Sequence, residues 1–212
     1  VAETFEPFLG FSGAKAVFIP RIADVDVATD RATALARLAP LHANYLEKHG
    51  FDPSRLATAE QIHGDRVAVA REPVVHIGAD ALVTNVPGLS LGIYVADCAA
   101  VYLADRKGRA IGLVHSGRAG TTKNIVGRTI QVLRNEYSID PSDLSAEISP
   151  CIRPPLYESD FAAEICAQLR ESGLDAVCDS GVCTGTKVDL YYSYRVECGQ
   201  TGRMLAVLAL PS

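Results

Sequence analysis

Hydrophobic positions along this chain follow two rhythms. Across residues 56–116 they form short apolar runs, "DALVT", "LSLGIYVA", "AVYLAD" and "RAIGLVH", separated by turns at Pro87-Gly88 and Lys107-Gly108. Short apolar runs bounded by Gly and Pro predict strands. "KAVFIP" predicts an earlier strand, and "RLATAEQIHGDRVAVA" two strands meeting near Gly64. Elsewhere the period lengthens. "DRATALARLAPLHANYLEKHG" predicts a helix capped by Asp30, stopped by Gly50 and kinked or split at Pro40. In "TTKNIVGRTIQVLRNEY", Ile125, Thr129, Val132 and Leu133 make one stripe, flanked by Val126 and Ile130, so this helix packs on a sheet. "LSAEIS" predicts a strand. "SDFAAEICAQLRESG" predicts a helix capped by Ser159, with Phe161, Ile165 and Leu169 on its inner face, and "MLAVLAL" a buried final strand. Strands gather first and helices later, which predicts an α+β fold, a layered α-β-α sandwich with a mixed sheet.

Composition narrows the class. A chain of 212 residues is long enough for one domain with a substantial core, and residues 1–212 are expected to form a single catalytic domain. The net charge of −5 gives no general attraction to nucleic acid or anionic lipid. No apolar run reaches the length of a membrane span. The opening "VAETFEPFLG" lacks the basic-then-apolar pattern of a secretory leader. The six cysteines, Cys98, Cys151, Cys166, Cys178, Cys183 and Cys198, form no C-x-x-C pair. Free thiols in a cytoplasmic protein are the expectation.

Candidate chemistry centres on three residues beside turns: His63 in "QIHGD", Cys98 in "VADCA" and His115 in "LVHSG". Cysteine and histidine are the ligands zinc favours, and three protein ligands leave a fourth position open for catalysis. Each also has a plainer reading, Cys98 as a small buried hydrophobe and the histidines as turn residues. Asp97 adjoins Cys98 as a candidate catalytic acid or base, although on a regular strand its side chain points the opposite way. In "HSGRAGTT", Gly117 and Gly120 precede a helix, so backbone N–H groups of residues 117–122, including Thr121, form a candidate phosphate loop. Arg118 and Lys123 add charge. A glycine turn with a threonine cap explains the same residues without a ligand.

Taken together, "QIHGDRV", "ADALVTNVPGLSLGIYVADCAAVYLAD", "IGLVHSGRAGT", "SPCI", "YYSYR" and "TGR" resemble, in this order, the laccase-domain family. Its members are described both as polyphenol oxidases and as purine nucleoside phosphorylases. The resemblance covers residues 56–210 and is most specific over residues 61–120. It implies an α-β-α layered fold, one zinc ion on His63, Cys98 and His115, and chemistry on purine nucleosides with phosphate, including adenosine deamination. The chain departs from the family in two motifs. His115-Ser116-Gly117-Arg118-Ala119-Gly120 stands for His-Ala-Gly-Trp-Arg-Gly, and Ser149-Pro150-Cys151 for Gly-Pro-Cys.

Three functions follow as expectations. The first is a zinc-dependent purine nucleoside phosphorylase and adenosine deaminase-like enzyme. The second is a Cys–His hydrolase with Cys98 as nucleophile and His115 as base. The third is a zinc-binding domain with little catalytic power. Polyphenol oxidation is disfavoured, and zinc is preferred to copper. Five histidines without an H-x-H pair cannot build a multicopper centre.

Overall fold

The computed structural model describes residues 5–7 and 13–211. The expectation for the opening "VAETFEPFLG" falls largely outside them. Eleven strands and four α-helices follow one another along the described chain. Strands β1 (Lys15–Ile19), β2 (Leu56–Ala59), β4 (Val75–His76), β6 (Ser90–Val95) and β11 (Met204–Ala209) form one sheet in the order β1-β11-β6-β2-β4. Strands β3 (Val67–Val69), β5 (Ala81–Thr84), β7 (Ala99–Asp105), β8 (Ile111–Ser116), β9 (Leu144–Ile148) and β10 (Ala176–Asp179) form the other, in the order β10-β9-β7-β8-β5-β3. Both sheets mix parallel and antiparallel pairs.

The period of two in each strand builds the layers. All six residues of β11 are buried. Met204, Ala206 and Leu208 face a core shared with Leu82, Ala100, Tyr102, Ile111 and Leu113 of the opposite sheet. Leu205, Val207 and Ala209 pack with Leu46 of helix α1 (Arg31–Lys48) on the other face. Behind the six-stranded sheet, Ala99, Val101, Leu103 and Val114 meet helices α3 (Ile125–Tyr137) and α4 (Phe161–Glu171). The layered α+β architecture therefore holds, with the strands divided between two stacked sheets and helices outside both. Each fully buried leucine or isoleucine in these layers contributes about 2 kcal/mol of apolar burial. Tyr102 ties the layers together, its hydroxyl donating to the Val17 carbonyl at 2.9 Å.

Several sequence expectations need correction. Pro40 neither splits nor ends α1. The carbonyl it deprives of a partner belongs to Ala36, and both residues are exposed, so water takes the bond. Ala34, Leu38, His42 and Leu46, four apart, anchor the helix on both sides of the proline. The two strands around Gly64 do not pair. β2 and β3 lie in different sheets, and the loop between them has positive φ at Gln61 and His63. Asp160, not Ser159, caps α4, accepting from the Ala163 N–H. The helix expected from Thr121 onward is two: short α2 (Arg118–Thr122) ends at Lys123, and Asn124, at φ 53°, turns the chain and caps α3. Asn tolerates this left-handed conformation better than most residues. Among the described residues no helix is long and apolar enough to cross a membrane.

Candidate active site

Residues 96–98 lie in a bend between β6 and β7, so the Asp97-Cys98 pair is not mid-strand. Asp97 takes φ 79°, and this turn frees the two side chains from strand alternation. Cys98 sits at the mouth of β7. His115 lies on β8, on the face that Ile111 and Leu113 turn toward the inter-sheet core, where that core opens. His63 comes from the β2–β3 loop. The three side chains converge: one ligand atom from each lies within 4.8 Å of the others. Cys98 Sγ is 4.0 Å from His63 Nε2, and the two imidazoles meet edge to face at 4.9 Å.

Asp80, just before β5, assembles this group and was not singled out from the sequence. It is fully buried. Its Oδ1 accepts from His115 Nδ1 at 2.8 Å and from the His63 N–H at 2.9 Å. Its Oδ2 accepts from the N–H groups of Gly64 (2.7 Å) and Ile62 (3.2 Å). One carboxylate thus fixes the His115 ring, leaves Nε2 for the site and closes the strained His63 loop. Burial opposes ionisation of the Cys98 thiol, but the positive charge of His115 and hydrogen bonds from both histidines prevail and lower its pKa. Burial likewise opposes charge on His115, while Cys98 and Asp80 outweigh it and raise its pKa. A soft thiolate and two imidazoles, one oriented by a carboxylate, are a donor set suited to zinc.

Gly117 is also held to glycine by packing. A Cβ at this position would stand 2.4 Å from Cys98 Sγ, so only glycine lets the sulfur occupy its place. Gly120 and Thr121 are buried inside α2 and do not line the cavity. Thr121 donates its N–H to the Gly117 carbonyl, and its hydroxyl bonds the Ser116 hydroxyl at 2.9 Å. The structure therefore gathers His63, Cys98, His115, Asp97, Gly117 and Arg118, and sets Gly120 and Thr121 behind them. The Asp97 carboxylate is occupied by three donors: Thr184 and Ser193 hydroxyls on Oδ1, both at 2.7 Å, and the Arg195 N–H on Oδ2 at 2.6 Å. The Ser193 and Arg195 bonds dock the "YYSYR" segment against the Cys98 bend, and the Thr184 bond ties in the turn at residues 184–186.

Above His63, Cys98 and His115 opens a cavity of about 840 Å³. Ile152, Tyr157, Phe161 and Tyr194 supply apolar and aromatic wall, and Arg31, Arg118, Lys123, Arg195 and Arg203 supply positive charge. Arg118 and Arg195 share Glu158, at 3.2 and 3.0 Å, and Arg195 stacks on Tyr157. A family model described as multi-copper polyphenol oxidoreductase laccase matches residues 23–162 and 157–211. The chain belongs to this family. Among relatives, it is 34% identical over 210 residues to a purine nucleoside phosphorylase of Deinococcus radiodurans, covering 86% of this chain and 81% of that protein. To a purine nucleoside phosphorylase of Corynebacterium glutamicum it is 31% identical, covering 76% and 77%. The fold matches the crystal structure of YlmD from Geobacillus stearothermophilus with a TM-score of 0.84, at 24% identity over 95% of this chain and 93% of that one.

Proposed function

We propose that this family member is a cytoplasmic, zinc-dependent purine nucleoside phosphorylase. The observation that carries the reading is the convergence of His63, Cys98 and His115 at the cavity, in a chain with phosphorylase-named relatives at 34% and 31% identity. Zinc held by these three residues would supply Lewis-acid polarisation of an oxygen at its open position. The chain's own residues do the rest. The aromatic wall of Tyr157, Phe161 and Tyr194 offers flat surfaces for a purine. The cations orient phosphate, and enclosure keeps both reactants together while the base departs. A zinc held by these residues would also activate water, so conversion of adenosine to inosine belongs to the same reading. Copper oxidation fits poorly. Among the described residues this is the single His/Cys/Asp/Glu group able to hold a metal, and it offers three ligands, too few for a multicopper centre.

A second reading rests on the Asp80–His115 bond beside the Cys98 thiolate. That trio has the relations of a Cys–His–Asp hydrolase, with Cys98 as nucleophile and His115 as base. Metal analysis of the purified protein, with chromatography of adenosine, inosine and guanosine incubated with and without phosphate, separates the two. The phosphorylase reading expects about one zinc per chain, base release that requires phosphate, and loss of both metal and activity in Cys98→Ala. Metal-free protein whose Cys98 is rapidly alkylated would replace it with the hydrolase. A metal-loaded protein inert toward all three nucleosides would leave a zinc-binding domain.

A further inference from the structure

The five cations of the cavity differ in how their charge is met. Arg118 and Arg195 share one carboxylate, Glu158, which meets half of their combined charge. Lys123 donates to the His63 carbonyl at 3.0 Å. Arg31 and Arg203 make no ion pair with any described residue. Arg203 Nη1 donates to its neighbours' carbonyls, Thr201 at 3.0 Å and Gly202 at 2.8 Å, while its Nε and Nη2 have no partner among the described residues. Arg31 Nη2 makes one long bond, 3.4 Å, to the Glu60 carbonyl. Elsewhere in this protein guanidinium groups with similar exposure are matched: Arg109 grips Asp105 with two nitrogens and Arg153 grips Asp179.

Burial and the repulsion of Arg31 hold the Arg203 pKa below the usual range, against the opposite pull of Tyr194, Cys98 and Asp97. Holding two cations on one cavity wall is unfavourable unless an anion joins them. Tyr94 completes this wall. Its main chain is clamped by both ends of the Gln61 side chain, and burial raises its pKa, so its phenol stays a neutral donor. The Arg203 guanidinium lies 5.8 Å from the centre of the Tyr194 ring, within the same cavity lining.

We propose that Arg31 and Arg203, with Tyr94, form the seat of a phosphate dianion, a role that rests on the phosphorylase reading above. Guanidinium forks match phosphate oxygens two at a time, and two of them balance its double charge. From this seat one phosphate oxygen forms a bond to the ribose C1′ as the bond from C1′ to the purine nitrogen breaks, and the departing base takes a proton from solvent. The Arg118 and Arg195 guanidiniums, by contrast, already hold a carboxylate between them.

The test uses the full chain with its metal content measured. Arg31→Gln, Arg203→Gln and Arg203→Lys are compared with the parent in two assays. Titration calorimetry with inorganic phosphate alone reads the anion site without turnover. Steady-state assays vary phosphate at saturating inosine, then inosine at saturating phosphate. Loss of one charged bond corresponds to roughly 10- to 100-fold in affinity. Each Gln variant is expected to raise the phosphate KM and Kd by about that factor, with the inosine KM changing less than about twofold. Arg203→Lys should recover part of the loss. Arg31 is exposed at the start of α1, so its variant keeps the test sound should Arg203→Gln fold poorly. A parallel titration with adenosine 5′-monophosphate distinguishes a free phosphate from one carried by the nucleoside. Binding of the nucleotide but not of phosphate would overturn the cosubstrate seat. Unchanged phosphate affinity in both Gln variants, or its loss in Arg118→Gln instead, would also overturn the proposal. Phosphate binding that depends on the pair, without nucleoside turnover, would uphold the seat and defeat the phosphorylase reading.

Discussion

Asp80→Asn tests the frame of the site. The carboxylate receives four donors, two on each oxygen: His115 Nδ1 and the His63 N–H on one, the Ile62 and Gly64 N–H groups on the other. An asparagine has one acceptor oxygen, so at best one pair survives. The amide nitrogen then confronts two donors as a third. Bonds to a charged acceptor contribute about 1.5–3 kcal/mol each. The 3.2 Å bond is the weakest, so losing two predicts a destabilisation of about 3 kcal/mol. Even with its Nδ1 bond kept, His115 loses the negative charge of its partner, which predicts a 10- to 100-fold weaker metal site, on the order of other such partners. Denaturant unfolding of metal-stripped parent and variant measures the first effect, and zinc competition against a chromogenic chelator the second. The sign with pH is defined. Burial opposes the Asp80 charge, but the His115 bond, the Gly64 and His63 bonds and the His115 charge outweigh it and lower the pKa below the ordinary 3.8. Its stabilisation is therefore present above 3.8 and lost as pH falls through the lower folded value. The gap between parent and variant should begin to narrow near pH 3.8 and close as pH falls through that lower value. A variant within about 0.5 kcal/mol of the parent at pH 7, with unchanged zinc affinity, would refute the assignment of Asp80 as organiser.

Other predictions follow from single contacts. His42 is buried on α1 with both ring nitrogens unpartnered, and burial lowers its pKa from 6.5 to about 4. Stability is full above 6.5 and should fall by about 2 kcal/mol between pH 7.5 and 5, a slope absent from His42→Leu when both are followed by urea unfolding. Gly117→Ala drives a Cβ to 2.4 Å from Cys98 Sγ. It should cost about 1–3 kcal/mol and displace the thiolate, seen as zinc loss with unchanged far-ultraviolet circular dichroism; full zinc occupancy would contradict this. Asp97→Asn keeps one acceptor for the Thr184 and Ser193 hydroxyls but loses the Arg195 N–H. Nucleoside KM should rise about tenfold while zinc is retained, and a matched fall in zinc content would mean that Asp97 supports the metal loop instead.

The periods of two and 3.6 in the sequence set most of the elements here. β11 could be read from "MLAVLAL" because every residue is apolar, and the inner faces of α3 and α4 from four-residue spacing. Those signals are local, since a strand or helix must hide its apolar side whatever it packs against. His63, Cys98 and His115 were also legible as candidates, because His and Cys beside turns suit a metal. Their meeting was not. It depends on β2 and β3 entering different sheets, on a bend at Asp97 with positive φ, and on His115 facing the gap between the sheets. Asp80 escaped notice because one aspartate before a strand looks like any turn residue; its four donors come from residues 62–64 and 115. The same holds for charge. Arg31 and Arg203 are 172 positions apart in sequence and carry no motif in common. Only packing of α1 and the approach to β11 bring the two to the lining of one cavity. Burial pattern is a property of each segment and its neighbours in sequence. Convergence of ligands and balance of charge are properties of distances between segments, which the tertiary structure alone sets.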